Sequence, residues 1–149
     1  MHYFCAMFSK TFGYALRALV FISIYGGEGA KVGLEQISKE LDIPHHFLGK
    51  IMQALVRQGI LDSIKGPNGG FYSNAQTAGT PLLDLLILID GSLILDQCAL
   101  GIKRCDAAHP CPLHEDFATC RNGMLQAMST KTVGTLAEDV KAGNSFLIR

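Results

Sequence analysis

Cys98, Cys105 and Cys111 are separated by six and five residues, and His114 follows Cys111 by three. Thiolate sulfur and imidazole nitrogen are metal ligands, and thiols are also redox centres. Structural zinc sites favour ligand pairs about two to four residues apart, so this spacing makes a poor zinc ribbon or finger. An iron-sulfur cluster accepts three thiolates from one flexible loop plus a fourth ligand, which histidine can supply. The cluster is the better fit; incidental thiols on a mobile loop and a metal-free thiol or disulfide switch stay open. Pro110-Cys111-Pro112 predicts Cys111 at the N-cap of the last helix, where unpaired N–H groups favour a thiolate, with His114 in the first turn. Cys120 reads as a core residue of that helix, and Cys5, in an N-terminal extension over residues 1–7, is given no role.

A second set of residues has chemistry for nucleic acid. His45, His46, Gly49, Lys50 and Gln53 fall at the start of a helical pattern that follows a tight turn. Lys50 can bind guanine or a phosphate, Gln53 has the amide geometry that pairs with adenine, and the two histidines can donate to bases or phosphates. Helical spacing puts His45, Gly49 and Gln53 on one outward stripe, with Phe47, Leu48, Ile51, Leu55 and Val56 including the inward set. Lys65 and Asn68 lie at the base and tip of a Gly-rich turn, within reach of a minor groove or its flanking phosphates. The turn GPNGG matches neither the P-loop nor the dinucleotide fingerprint.

These residues require elements that hold them. Apolar positions three and four apart predict a first helix over residues 10–25, stopped by Gly26-Gly27. LEQISKEL predicts a short amphipathic helix over 34–41. Asp42-Ile43 then turns the chain, and Pro44 suits the first position of a third helix reaching about Gln58. Strands over 60–65 and 71–73 flank the glycine turn. Helix, helix, turn, helix, hairpin is the order of a winged helix-turn-helix, whose second motif helix enters the major groove. Thr80 as N-cap and Pro81 as first residue predict a fourth helix ending near Gly91. An aperiodic loop covers 98–112, and a last long helix carries an apolar seam of Leu113, Phe117, Cys120, Met124 and Met128 suited to another helix. A short helix over about 136–141 folds back, and the tail after Gly143 frays.

Hydrophobic residues make up 48% of the 149 and charged residues 17%, enough apolar content for a compact core. Net charge is zero, but residues 1–72 carry seven Lys and Arg against five acids and residues 73–149 six against eight. The weak basic bias thus falls on the half with the helix-turn-helix. The apolar stretch 14–25 is broken by Arg17 and lacks the flanks of a signal peptide, and 82–95 is too short to span a bilayer. A cytoplasmic location follows, where clustered thiols are ligands or redox centres more often than disulfides. No nucleophile-base pair or paired carboxylates stand out, so an enzyme is not expected.

The chain resembles the Rrf-type family of bacterial winged-helix transcriptional regulators, the IscR/NsrR/RirA/CymR-like group. The resemblance rests on FSKTFGYALRALVFIS, LEQISKELDIPHHFLGKIMQALVRQGIL, SIKGPNGGF and CALGIKRCDAAHPCPLH. It implies a mainly α fold with a small β-hairpin wing and a long C-terminal dimerisation helix. It also implies a homodimer on a palindromic operator in double-stranded DNA, and an iron-sulfur cluster sensing iron-sulfur status, nitric oxide or redox state. The implied ligands are Cys98, Cys105 and Cys111, with His114 fourth, because the alternative position in the first helix, a carboxylate in other members, is Gly13 here. A 2Fe-2S cluster is preferred to 4Fe-4S, although the first cysteine gap is one residue longer than in some members. The organisation implied is 1–7 extension, 8–75 DNA-binding domain, 76–97 connecting helix, 98–112 sensor loop and 113–149 dimerisation helix and tail. The match starts at Phe8, which makes Met7 a candidate start. Gly49 stands where a relative has a glutamate that discriminates operators, so that relative's target does not transfer. The rival readings are a metal-free thiol-based or metabolite-responsive regulator and an iron-sulfur redox protein that does not bind DNA.

Overall fold

A computed structural model describes residues 8–27 and 29–148; Cys5 and the possible start at Met7 lie outside them. Helix α1, Lys10–Tyr25, is capped by Ser9, whose side chain accepts from the Phe12 N–H at 3.0 Å. It is the central element, burying Phe12, Ala15, Ala18, Leu19 and Ile22. Helix α2, Leu34–Leu41, lays Ile37 and Leu41 on that core. Helix α3, His45–Arg57, adds Leu48, Ile51, Met52 and Leu55, a stripe three and four residues apart. The first two helices have the bounds read from the sequence.

Strands β1, Leu61–Ile64, and β2, Gly70–Ser73, pair antiparallel with Leu61 opposite Ser73 and Ile64 opposite Gly70. The hairpin does not stand alone. Val32 and Phe71 exchange backbone hydrogen bonds at 2.8 and 2.9 Å, adding a third short edge ahead of α2. Gly70 permits this approach, because a Cβ there would lie 2.8 Å from the Val32 carbonyl oxygen.

Helix α4, Leu82–Asp90, buries Leu82, Leu85 and Leu86 and leads into a 3-10 turn, Ser92–Leu95, that the sequence did not announce. Helix α5, His114–Thr130, and α6, Val133–Lys141, complete the chain. Helix α6 starts earlier than expected, because Thr132 and Thr135 form a capping box. It returns Val133 and Ala137 to the core, where it packs on α1, and beyond it Leu147 also lies against the core.

Several local expectations are corrected. Pro44 is the N-cap of α3, with extended ψ of 123°, and its carbonyl accepts from the Leu48 N–H at 3.0 Å. Pro81, not Thr80, caps α4: the Pro81–Thr132 bridge and the Leu82 N–H to Lys131 carbonyl bond keep this segment extended. Phe47 is 57% exposed, one position off the buried stripe of α3, and its ring sits 5.0 Å from that of His46. Cys111 is not the cap of α5; Leu113 is, without a side-chain bond, and the His114 N–H closes only a turn onto the Cys111 carbonyl. Cys120 is exposed on α5 rather than in the core.

Candidate functional site

Two sites stand apart in the chain. The first is the face made by α3 and the wing. The turn before α3 is tightly determined. Asp42 takes a left-handed conformation (φ 50°, ψ 52°), the Ile43 N–H donates to the Ser38 carbonyl at 3.0 Å, and the Ser38 hydroxyl donates back to the Ile43 carbonyl at 2.6 Å. The Arg17 guanidinium donates to the Leu41 carbonyl, placing a cation at the negative end of α2. This turn and the buried stripe leave His45, His46, Lys50 and Gln53 exposed on one side of α3.

Gly49 is half-buried rather than purely outward; a Cβ there would touch Leu34 Cδ2 at 3.4 Å. That is close to ordinary van der Waals contact with a flexible side-chain end, so the site has room for a methyl group. Across from α3, Lys65 and Asn68 are exposed on the wing. Gly69 sits at its tip where a Cβ would collide with the Ile64 and Gly66 carbonyl oxygens. Between α3 and the wing runs a groove of about 640 Å³, with Gln53, Arg57, Ser63 and Lys65 on its walls. Arg57 was missed in the sequence; it is one helical turn from Gln53, whose carbonyl its Nε meets at 3.4 Å. Among the described residues no carboxylate forms a salt bridge with Lys50, Arg57 or Lys65. Their charges are available to an anionic partner.

The second site is the loop between the 3-10 turn and α5. The Cys105 N–H donates to the Asp96 carbonyl at 2.9 Å, and an exposed Arg104–Asp96 ion pair at 3.2 Å reinforces this closure. The Gly101 N–H turns back onto the Cys98 carbonyl at 2.9 Å. Asp106 accepts from the Ala108 N–H and meets His109 Nδ1, each at 2.9 Å. The His109 contact, and then the Ala108 N–H, hold its carboxyl below the ordinary range.

These turns bring the expected four residues around one small cavity. Cys98 Sγ is 4.0 Å from Cys111 Sγ, and Cys105 Sγ is 3.3 Å from Nδ1 of the buried His114. The Leu100 N–H, foremost, lowers the Cys98 thiol from its ordinary value, with smaller help from Ile102, Cys111 and Arg121 against the cost of burial. Arg121 Nη2 donates to Cys105 Sγ at 3.0 Å. The loop spacing gave no sign of this residue.

No three His, Cys, Asp or Glu side chains among the described residues gather as a site for one ion. The donors instead form two pairs. A tetrahedral metal with bonds of about 2.3 Å to sulfur and about 2.0 Å to nitrogen spaces its ligands roughly 3.5 to 3.8 Å apart. Each pair is within a few tenths of an ångström of that range, so the donor set fits a group with two metals better than a single ion.

Known proteins resemble this chain over most of its length. The model of the Rrf2 family, described as iron-dependent transcriptional regulators, matches residues 8–139. An HTH-type transcriptional regulator of Aquifex aeolicus (strain VF5) is 30% identical, covering 87% of this chain and 90% of the relative. The HTH-type transcriptional regulator NsrR of Geobacillus kaustophilus (strain HTA426) is 27% identical, over 90% and 91% of the two chains. The solved structure of CymR, the global cysteine regulator of B. subtilis, superposes with a TM-score of 0.70 at 18% identity, covering 88% of this chain and 95% of that one. With a winged helix-turn-helix in place and a family model spanning nearly all of it, the chain belongs to the Rrf2 family and is a DNA-binding transcriptional regulator, not an enzyme.

Proposed function

We propose that this regulator senses iron-sulfur status, nitric oxide or redox state through a 2Fe-2S cluster held by Cys98, Cys105, Cys111 and His114, acting as a cytoplasmic repressor. The observation that carries the reading is the convergence of these four donors on one cavity in two metal-spaced pairs. The family's description as iron-dependent is consistent with it. When bound, such a cluster supplies a cross-link between the loop and α5 that oxidant or nitric oxide can break. The chain's own residues do the rest. Cys98, Cys105 and Cys111 hold the loop side, and His114 the start of α5.

The DNA is read by His45, His46, Lys50 and Gln53, with Gly49 among them on α3, while Lys65 and Asn68 on the wing hold the flanking backbone. Residues 8–75 form this DNA-binding domain, 76–97 the connection, 98–112 the sensor loop and 113–149 the dimerisation segment and tail. Leu113 at the N-cap of α5 and Phe117 and Cys120 along it are exposed, and Leu93 of the 3-10 turn is 76% exposed. A second copy covering this apolar face gives a homodimer suited to a palindromic operator, whose half-sites lie a whole number of turns apart, about 34 Å per turn. Bracing or release of the loop changes how α5 sits on α4 and so shifts the spacing of the two recognition helices.

Anaerobic absorption spectra combined with operator binding before and after nitric oxide test this reading. The expected result is a visible cluster spectrum and a change in affinity when nitric oxide bleaches it. Equal affinity in both states would sink the proposal. The second reading, a metal-free thiol switch, draws on the 4.0 Å Cys98–Cys111 approach. It requires iron-free protein and a disulfide between those residues after mild oxidation.

A further inference from the structure

Arg121 lies seven residues after His114, two helical turns along the same face of α5. Its Nη2 donates at 3.0 Å to Cys105 Sγ, the sulfur that His114 Nδ1 also approaches, at 3.3 Å. The guanidinium is half-buried and also lines a groove with Cys98. Among the described residues no carboxylate pairs with it. An arginine without an acid partner, aimed at a thiol, gains little from a neutral S–H, which is a weak acceptor. It gains much more from a sulfur carrying negative charge, because charge-assisted hydrogen bonds are roughly twice as strong as neutral ones.

We infer that Arg121 is a positioning residue of the cysteine site, holding Cys105 Sγ and raising the electron affinity of the cluster bound there. The inference rests on the cluster reading above. Adding an electron increases the negative charge on the ligating sulfurs, so a cation and N–H donor beside one of them stabilise the reduced state more than the oxidised one. Hydrogen bonds to cluster sulfurs are a recognised determinant of potential. The Asp96 carbonyl accepts the Cys105 N–H, which ties the Cys105 backbone to the segment ahead of the loop.

The test uses the full chain, reconstituted anaerobically with ferric iron and sulfide, as wild type, Arg121→Met and Arg121→Lys. Dithionite titration followed by visible absorption passes one electron to the cluster, one ferric iron becoming ferrous with no bond broken. At the wild-type midpoint potential, the reduced-to-oxidised ratio in Arg121→Met is expected to fall about tenfold, about 59 mV for one electron. Arg121→Lys, which keeps a charged donor, is expected to recover most of that ratio. A Met variant that loses its cluster with circular dichroism intact, and regains it as Lys, supports the same role. Arg121→Met with a full cluster spectrum and an unchanged ratio overturns the inference alone. An equal fall in both variants, or loss of the cluster in both, also overturns it, since packing and not a charged donor would be the cause. A wild-type chain that takes up no iron overturns the cluster reading and this inference together.

Discussion

Beneath α3 and the wing lie Leu48, Met52, Leu55 and Leu61, all fully buried, whereas the loop carrying Cys98, Cys105 and Cys111 buries no apolar side chain of its own. Leu100 and Ile102, its large apolar residues, are 49% and 56% exposed. The recognition face therefore takes its shape from a core that exists without any ligand. The cysteine loop takes its shape from a few turns, the Arg104–Asp96 and His109–Asp106 contacts and contacts to sulfur, interactions worth little at an exposed surface. The α3 and wing side chains are thus preorganised while the thiol loop is left adjustable, which the proposed sensing role requires.

The contrast breaks most visibly if core and loop are truncated alike. Leu48→Ala is expected to cost about 2–5 kcal/mol in chemical denaturation, whereas Ile102→Ala should stay within about 0.5 kcal/mol. A large loss from Ile102→Ala would mean that the loop is part of the folding core.

Gly69→Ala sharpens the comparison within the DNA-binding half. The added methyl meets backbone carbonyl oxygens at the wing tip, which cannot move aside like a flexible side chain. Operator binding should weaken severalfold, with the melting temperature falling only a few degrees because the hairpin is peripheral to the core. An unchanged mobility shift would show that the wing does not touch DNA.

The smallest expected effect is on salt dependence. Replacing Arg57 or Lys65 by Ala should weaken binding to specific and random duplexes alike and flatten the slope of log affinity against log salt by about 1 each. A loss confined to the specific operator would move that residue from backbone contact to base reading.

Much of the scaffold was legible in order along the chain. The apolar periodicity and Gly26-Gly27 define α1, the alternation of Leu34, Ile37 and Leu41 with charged residues defines α2, and the glycine turn defines the wing, because each is a local pattern. The candidate ligands were legible for the same reason, being clustered in one stretch of sequence. Phe47 and Cys120 were misplaced because periodicity gives a face only to within one position, and burial depends on what lies opposite. Arg57 and Arg121 were missed because a cation on a helix face looks like any other until its neighbours are known.

The sequence by itself determined the order of the elements, the glycines at the wing and the presence of three thiols in one loop with an imidazole just after it, since backbone preference and residue chemistry are local. Only the tertiary structure decided that the donors fall into two pairs, that Val32 extends the wing, that α6 returns to α1, and that Arg121 reaches Cys105. Each of these contacts joins separate parts of the chain, and such approaches are fixed by how the helices pack, which no local pattern of residues encodes.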